Sequence, residues 1–259
     1  MARYAPSIEW YANVALNLVG GYSLIHKFGR NDTVPNGSFA FINLLAFTAW
    51  QLSAATTVRV KAGNAEDTFN GDGAREITVQ GIDDSFNEVT ETIVTAGLSA
   101  SSVTSTLFWR IHRAWVSSAG VYGAANTAAV IIENGAGGTD LIQIGIGEGQ
   151  TQFGGFTIPV GHTGLLLSAT ITVDAGKAAD IRMFTRDNID VTTAPVSSKR
   201  LKLYWDGVLG ELIYKPQSPS TTINEKSDIW FEAQGGGAGT EVSVDFELLL
   251  VDKNREFFR

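Results

Sequence analysis

The amino-acid sequence predicts an all-β protein, built as one or more jelly-roll-like β-sandwiches with an extended N-terminal arm. Short runs of alternating apolar and polar residues follow one another at intervals of roughly 8 to 12 residues, with turn-forming residues between them. Twenty-eight glycines stand against six prolines, a proportion that suits many tight turns. No alternation of strands with helices is visible, so a parallel α/β fold is not expected.

The composition limits the classes of function. The chain has 259 residues, of which 44% are hydrophobic and 18% charged, with a net charge of −8 and no cysteine. This length allows one large core or two smaller ones. The lack of cysteine excludes disulfides, thiolate metal sites and cysteine nucleophiles. The lack of a Lys/Arg cluster argues against a nucleic-acid partner.

Residues 1–50 are predicted to be an N-terminal arm that makes assembly contacts. The run SIEWYANVALNLV (7–19) has a spacing that favours a weak short helix or an extended segment, and two glycines end it. The start carries no secretory signal pattern. The longest apolar run, FAFINLLAF (39–47), is shorter than the roughly 20 residues that span a bilayer. We therefore expect a soluble protein made without export and without a membrane partner.

Residues 51–145 are predicted to form a first β region. TTVRVKAG (56–63) has the period of a half-buried strand. AREITVQGI (74–82) and EVTETIVT (88–95) predict a hairpin, because both suit a pleated surface and the DDSFN between them consists largely of turn residues. In TLFWRIHRAWVSSAG (106–120) one face is apolar and the other basic. We expect its tryptophans in the core and its arginines at the surface or at a subunit contact.

Residues 146–259 are predicted to form a second β region, or to continue the first region as one jelly-roll domain. The boundary is placed near Gly145–Gly149, where glycines cluster. Apolar and alternating runs on both sides of this point predict strands. These runs are AAVIIE, DLIQIGI, QFGGFTI, TGLLLSATITV, ADIRMFTRD, KRLKLYWDGVLGELIYK, SDIWFEAQ and TEVSVDFELLLVDK.

The acidic segment between the two hairpin strands is the first candidate for chemistry. Asp83, Asp84 and Asn87 offer oxygen ligands that could hold a cation. The segment lacks the glycine of a calcium-binding loop, and its flanks are strands rather than helices. Asp, Ser and Asn also favour β-turns, because their side chains bond the local backbone. A solvated hairpin turn is the preferred interpretation, with the cation site as the alternative.

Other patterns of catalytic or binding residues are weak. His26, His112 and His162 share no metal-ligand spacing. The nucleophile pattern G-x-S-x-G does not occur, and GIGEGQ (145–150) lacks the lysine of a phosphate-binding loop. We predict no catalytic residue, no cofactor and no metal. A carbohydrate-binding sandwich stays open as an alternative, with Trp205 and Trp230 as the residues that would stack on sugar rings.

Several segments carry a family resemblance when they are taken together and in order. They are KFGRN (27–31) followed by TVP, GDGAREITVQGIDDSFNEVTETIVTAG (71–97), FWRIHRAWVSSAG (108–120), GEGQTQFGGFTIPVGHTGLL (147–166), SDIWFEAQ and VSVDFELLLVD. This series resembles tailed-bacteriophage virion structural proteins common in marine phages. The likeness covers most of the chain. It departs after GRN, where NDTVPNGSF is shorter than the corresponding segment of the relatives.

The resemblance implies a non-enzymatic β-sandwich subunit of a phage particle. It implies a capsid decoration or cement protein or, alternatively, a tail nozzle, adaptor or fibre component. The expected partners are further copies of the chain, with a trimer as the first expectation, and the major capsid protein or tail proteins. The expected location is the virion, assembled in the host cytoplasm. In such a particle the arm would gain order on a neighbouring subunit, with contacts from Trp10, Tyr11, Phe39, Phe41 and Trp50.

Overall fold

The computed structural model describes residues 8–45, 48–216 and 221–254. These residues form one helix and sixteen strands. The elements are α1 (Ile8–Ala15), β1 (Tyr22–Val34), β2 (Ala40–Phe41), β3 (Val58–Ala62), β4 (Ala74–Asp83), β5 (Glu88–Val94), β6 (Phe108–Ala119), β7 (Val130–Asn134), β8 (Asp140–Ile144), β9 (Gly155–Ile158), β10 (His162–Val173), β11 (Ala178–Arg186), β12 (Arg200–Leu209), β13 (Glu211–Tyr214), β14 (Thr222–Ile223), β15 (Ser227–Gly235) and β16 (Thr240–Asp252). No helix in these ranges has the length and apolar character needed to span a bilayer.

Eight of the strands form a two-sheet sandwich, here called the jelly-roll body. The first sheet has the order β1-β16-β10-β13, and the second has the order β12-β11-β15-β2. The eight strands, in chain order, are β1, β2, β10, β11, β12, β13, β15 and β16. When they are renumbered one to eight in that order, the first sheet reads 1-8-3-6 and the second reads 5-4-7-2. This order is that of a jelly roll. The all-β, jelly-roll-like sandwich expected from the sequence is confirmed.

The body closes by pairing the two ends of the chain. β1 runs antiparallel to β16 from Tyr22 opposite Val251 to Asn31 opposite Val242. β16 alternates Val242, Val244 and Phe246, all fully buried, with more exposed polar residues. That period of two gives the strand one buried face.

The expected arm over residues 1–50 is therefore corrected. Residues 22–34 are a strand of the jelly-roll body, whose partner lies more than 200 residues later. Within the described part of the arm, only residues 8–21 precede the first strand. There, α1 lies against β1, with Val14 fully buried.

The strands β3 to β8 form a second unit, here called the insert. They make two antiparallel three-stranded sheets, β3-β7-β8 and β5-β4-β6. These strands lie within the predicted first β region of residues 51–145. By contrast, β1 pairs with β16 and β2 pairs with β15. Both partners lie in the region predicted for residues 146–259.

The insert leaves and rejoins the jelly-roll body at one place. β2 pairs with Glu232 and Ala233 of β15, and β9 pairs with the Ser227–Trp230 segment of the same strand. β11 occupies the other edge of β15, so β2 and β9 share one edge, end to end. The insert thus interrupts a single edge-strand position of the jelly roll.

Two hydrophobic cores result from this arrangement. The first lies between the two jelly-roll sheets and includes Ile171, Ile181, Met183, Phe231 and Phe246. The second fills the insert and extends to Phe184 and Trp230 on the opposite face of the second jelly-roll sheet. β15 is consequently buried on both faces, with Ile229 and Phe231 in the first core and Trp230 in the second. Full burial of each such side chain contributes about 1.5–3 kcal/mol.

Candidate functional site

The junction between the insert and the jelly-roll body contains a buried ion pair. Arg110 of β6 donates to Asp228 of β15 through Nε at 3.3 Å and through NH2 at 3.0 Å. The two side chains are 1% and 0% exposed. NH1 of Arg110 donates to the Leu52 and Trp109 carbonyl oxygens, and the Thr157 hydroxyl donates to Asp228 at 2.7 Å. Bidentate pairing and these further bonds satisfy both charges in a dry environment.

A second polar link joins β6 to β1 and β9. The buried Lys27 ammonium of β1 donates to the His112 carbonyl oxygen. The Thr157 backbone N–H donates to Nε2 of His112 at 3.2 Å, and Arg113 donates to the His26 carbonyl oxygen at 2.8 Å. β6 is therefore the strand through which the insert holds the jelly-roll body.

The Thr157 bond fixes the protonation of His112. Because Nε2 accepts a hydrogen bond, the neutral ring carries its proton on Nδ1. Burial, followed by the positive charges of Lys27 and Arg110, lowers the pKa of His112 well below its usual 6.5. Nδ1 is buried and has no hydrogen-bond partner among the described residues. An unpaired buried donor is costly, so this atom marks a place where an acceptor would be stabilised.

Lys27 is an unusual residue for a sandwich interior, since it is 4% exposed and no carboxylate of the described residues contacts its ammonium. Burial, followed by the neighbouring Arg113 guanidinium, lowers its pKa from 10.5 to about 7. The ring of Phe153 lies 5.6 Å from Nζ and offers a weak cation–π contact. Lys27 therefore exchanges its proton near neutral pH.

The acidic hairpin turn also contributes to the junction. Oδ1 of Asp83 accepts the backbone N–H groups of Ser85 and Asn87 at 2.9 and 2.8 Å, which is a local turn bond. Phe86 at the tip is 3% exposed and forms a small core with Ile82 and Ile189. The tip is thus docked on the jelly-roll body, which corrects the expectation of a fully solvated loop.

The chain leaves the jelly-roll body at Ile42 and returns at Gly154, and this pair of segments is here called the neck of the insert. The neck depends on the close approach of two glycines, Gly29 and Gly154. A Cβ atom on Gly29 of β1 would lie 2.2 Å from the Gly154 backbone nitrogen, and one on Gly154 would lie 2.8 Å from a Val244 methyl group. The Gly154 N–H donates to the Ile42 carbonyl oxygen at 2.9 Å. Only a residue without a Cβ atom lets the outgoing and returning chains pass over β1 at this distance.

The residues considered for a cation site, Asp83, Asp84 and Asn87, make local turn contacts. Asp83 is engaged in the turn, and Asp84 accepts the Ser85 hydroxyl at 3.3 Å. Within residues 8–45, 48–216 and 221–254, no three His, Cys, Asp or Glu side chains are grouped so that they could hold a metal ion. His162 bonds the Val160 carbonyl oxygen, and His26 pairs with Asp245 at 2.8 Å.

The two tryptophans proposed for sugar stacking do not form a platform. Trp230 is 1% exposed. It stacks on Phe184 and donates from Nε1 to Glu232 at 2.8 Å. Trp205 is half-buried, packs against the first core and stacks on Phe231. Stacking by Trp230 is therefore wrong, because the insert covers the face of the sheet from which its ring projects.

The aromatic residues predicted as assembly contacts divide into two groups. Trp50 is 1% exposed and donates from Nε1 to the Ile111 carbonyl oxygen, and Phe41 packs edge-on against it. Trp50 serves the core of the chain itself, so the prediction is wrong for it. The other four are half-buried, and their role in assembly stays a prediction: Trp10 and Tyr11 on α1, Phe39 beneath the Arg182 guanidinium, and Phe41.

Sequence reasoning missed the junction because it assigned the faces of β6 the wrong way round. Phe108, Arg110, His112 and Ala114 are buried, as is Ile111 on the opposite face, whereas Trp109 is half-buried. The basic residue type suggested a surface. The available signal was Asp228 directly before the apolar run IWF, a carboxylate that a buried arginine could pair with.

A wide groove lies on the outer face of the first jelly-roll sheet. It has a volume of about 720 Å³, and its walls combine apolar and acidic side chains. Leu24, Phe28 and Ile213 lie beside Asp245 and Glu247, and Tyr11 of α1 forms one side. The shape of the groove suits contact with another surface.

Comparison with known proteins does not assign a family. No protein-family model matches the sequence, and no curated protein matches it. Solved structures with detectable similarity include that of infectious bursal disease virus Gx strain, at 9% identity and a TM-score of 0.25 over 91% of this chain and 72% of that chain. A crystal structure of the infectious bursal disease virus VP2 subviral particle has 11% identity and a TM-score of 0.22 over 96% and 79%. TM-scores this low assign neither a common fold nor a function.

Proposed function

We propose that the protein is a non-enzymatic structural subunit of a tailed-bacteriophage particle, and specifically a decoration or cement protein of the capsid. In this proposal the chain assembles with copies of itself as a trimer on the head surface and contacts the major capsid protein. Its location is the virion, built in the host cytoplasm. It works by burying surface between subunits and so bracing the shell.

One observation carries this proposal: the segments that resemble phage virion proteins meet in space at the junction. KFGRN contributes Lys27, FWRIHRAW contributes Arg110 and His112, and SDIWFEAQ contributes Asp228. These residues form the ion pair and the second polar link described above. The segments that carry the resemblance therefore include the residues whose bonds hold the two bodies together.

The exposed edges of the jelly-roll body support a role in assembly. β12 is an edge strand, and Leu201, Tyr204 and Leu209 on it are 52%, 46% and 65% exposed. A long edge strand with apolar side chains invites pairing with another chain. In a particle, a neighbouring subunit covers such a strand. Ile213 on β13, at the edge of the first sheet, is 60% exposed.

The experiment is to measure the mass of the purified full chain in solution and to test its binding to particles that lack it. We expect a trimer, and we expect it to bind the particle surface. Leu201→Asp with Leu209→Asp should leave folding intact, because both side chains are exposed, and should abolish assembly. Val121→Asp, at a residue 50% exposed outside β12, is the matched control. A monomer that never binds particles would overturn the proposal.

The tail is the second location within the same class, as a nozzle, adaptor or fibre component. The resemblance covers both head and tail proteins of this type. Copy number separates the two locations: hundreds of copies per particle indicate the head, and about a dozen or fewer indicate the tail. Quantitative mass spectrometry of purified particles measures that number directly.

A further inference from the structure

A cavity of about 290 Å³ lies where β1 of the jelly-roll body faces β4, β5 and β6 of the insert. Its walls include both buried groups of the second polar link, Lys27 and His112, together with Arg113 and Phe156. Gln80 and Glu88 stand on the insert side. The cavity is thus formed jointly by the two bodies, and neither body could build it alone.

The cavity is rich in hydrogen-bond donors. The Lys27 ammonium has three N–H groups, and its one hydrogen bond goes to the His112 carbonyl oxygen. The Arg113 guanidinium has five N–H groups, and one nitrogen donates to the His26 carbonyl oxygen. His112 also lines the cavity, but its unpartnered Nδ1–H is itself buried. Two cationic side chains, Lys27 and Arg113, therefore line one space with few acceptors among the described residues.

The charges around the cavity favour an anion. Lys27 and Arg113 lie close enough for each to disfavour a positive charge on His112. Glu88 is the acidic group of the lining and accepts a hydrogen bond from Gln80 at 2.7 Å. Burial raises its pKa in spite of the nearby positive charges of Arg113 and Lys27, so its negative charge is disfavoured, and the lining sets two cationic side chains against one carboxyl group. The remaining charged or titratable groups nearby are His26, Arg110 and His162.

We propose that this cavity binds a small tetrahedral oxyanion of the phosphate or sulfate class, held between the jelly-roll body and the insert. Arg113 offers the forked geometry that suits two oxygens of such an anion, and Lys27 supplies a second positive charge. The bound anion joins β1 to β6 and so stabilises the contact between the two bodies. This site is independent of the virion role.

The test uses the full chain and inorganic phosphate as the probe, at constant ionic strength set with chloride. We expect phosphate to raise the thermal midpoint and to bind with one site per chain by calorimetry. Arg113→Gln should weaken phosphate binding at least tenfold. Lys202→Gln, an exposed change outside the cavity, should leave binding unchanged. An equal effect of phosphate on all three proteins, or no binding by the wild type, would overturn the proposal.

A second measurement reports on a residue that lines the cavity and does not depend on a variant that folds. In ¹⁵N spectra of the imidazole groups, the ring signals of His112 should shift on addition of phosphate, while those of His162, which does not line the cavity, should not. Phosphate binding without a shift of the His112 signal would place the anion elsewhere and overturn this site.

Discussion

The insert and the jelly-roll body are both antiparallel β structures, but they are built from pairings of different range. In the insert, β4 pairs with β5 across a turn of four residues, and β7 pairs with β8 across five. In the jelly-roll body, β1 pairs with β16 from the opposite end of the chain. Local pairings close with a small loss of chain entropy, whereas long-range pairings close late. The insert should therefore order before the body that surrounds its neck.

The buried polar groups of the two units also differ in whether their contacts stay within one unit. In the insert, the buried Asp67 carboxylate accepts the backbone N–H groups of Ala74, Thr127 and Ala128, so it stabilises that unit alone. The Arg110–Asp228 pair joins one unit to the other. The two bodies are therefore coupled through buried polar contacts as well as through the second hydrophobic core, which Phe184 and Trp230 share with the insert.

Asp228→Ala should have the largest effect. It leaves the Arg110 guanidinium buried without a counter-charge, a change that costs about 3–5 kcal/mol. Urea unfolding should show this loss, and hydrogen exchange should show opening at the junction before opening of the insert. The double variant Arg110→Met with Asp228→Leu, which removes both charges, should recover most of the stability. If the single and double variants lost equal stability, the pair would not be the coupling element.

Gly29→Ala should destabilise the neck. The added methyl group would lie 2.2 Å from a backbone nitrogen, and such overpacking costs about 1–3 kcal/mol. Gly20→Ala is the matched control, because a Cβ atom there meets nothing within 4 Å. Thermal unfolding of the two variants measures the difference. Equal midpoints would contradict the close approach of the two chain segments.

Lys27→Met should remove a pH dependence of stability. The pKa of Lys27 is about 7 in the folded protein and about 10.4 in the unfolded chain. Between these values the unfolded chain binds a proton that the folded chain does not, so stability rises with pH by up to about 1.4 kcal/mol per unit. Below about pH 7 both states carry the proton, and this contribution to the slope disappears.

Urea unfolding midpoints measured across that pH range provide the check for Lys27. The wild type should become more stable as the pH rises through it, and Lys27→Met should show a flatter dependence. The exposed Lys61→Met variant should keep the wild-type slope. Identical slopes for wild type and Lys27→Met would show that the ammonium is not buried at the junction.

Asp83→Ala should have the smallest effect, because it changes a turn within one unit. It removes the acceptor of the Ser85 and Asn87 N–H groups, at a cost of about 1 kcal/mol. Asp84→Ala, next to it and exposed, should change stability by less than about 0.5 kcal/mol. Differential scanning calorimetry of both variants separates the two positions. A larger effect of Asp84→Ala would contradict the assignment of the turn bond.

The sequence predicts the parts of this protein in which neighbours along the chain are also neighbours in space. The β4–β5 hairpin, its turn at Asp83 and the all-β class follow from residue types and a period of two. The position of β1 does not follow, because nothing near Tyr22–Val34 indicates a partner at Thr240–Asp252. The junction was missed for the same reason, since Arg110 and Asp228 stand 118 residues apart.

By itself, the sequence determined that the chain is an all-β protein with a jelly-roll type of pattern and at least one tight hairpin. Only the tertiary structure decided that one edge strand is interrupted by an insert, that β6 presents its basic face inward, and that Lys27, His112 and Arg113 share a cavity. The physical reason is that a period of two along a strand shows only that the two faces of the strand differ in polarity. Which face is buried, and against which distant strand, depends on the free energy of packing and charge pairing in the folded whole.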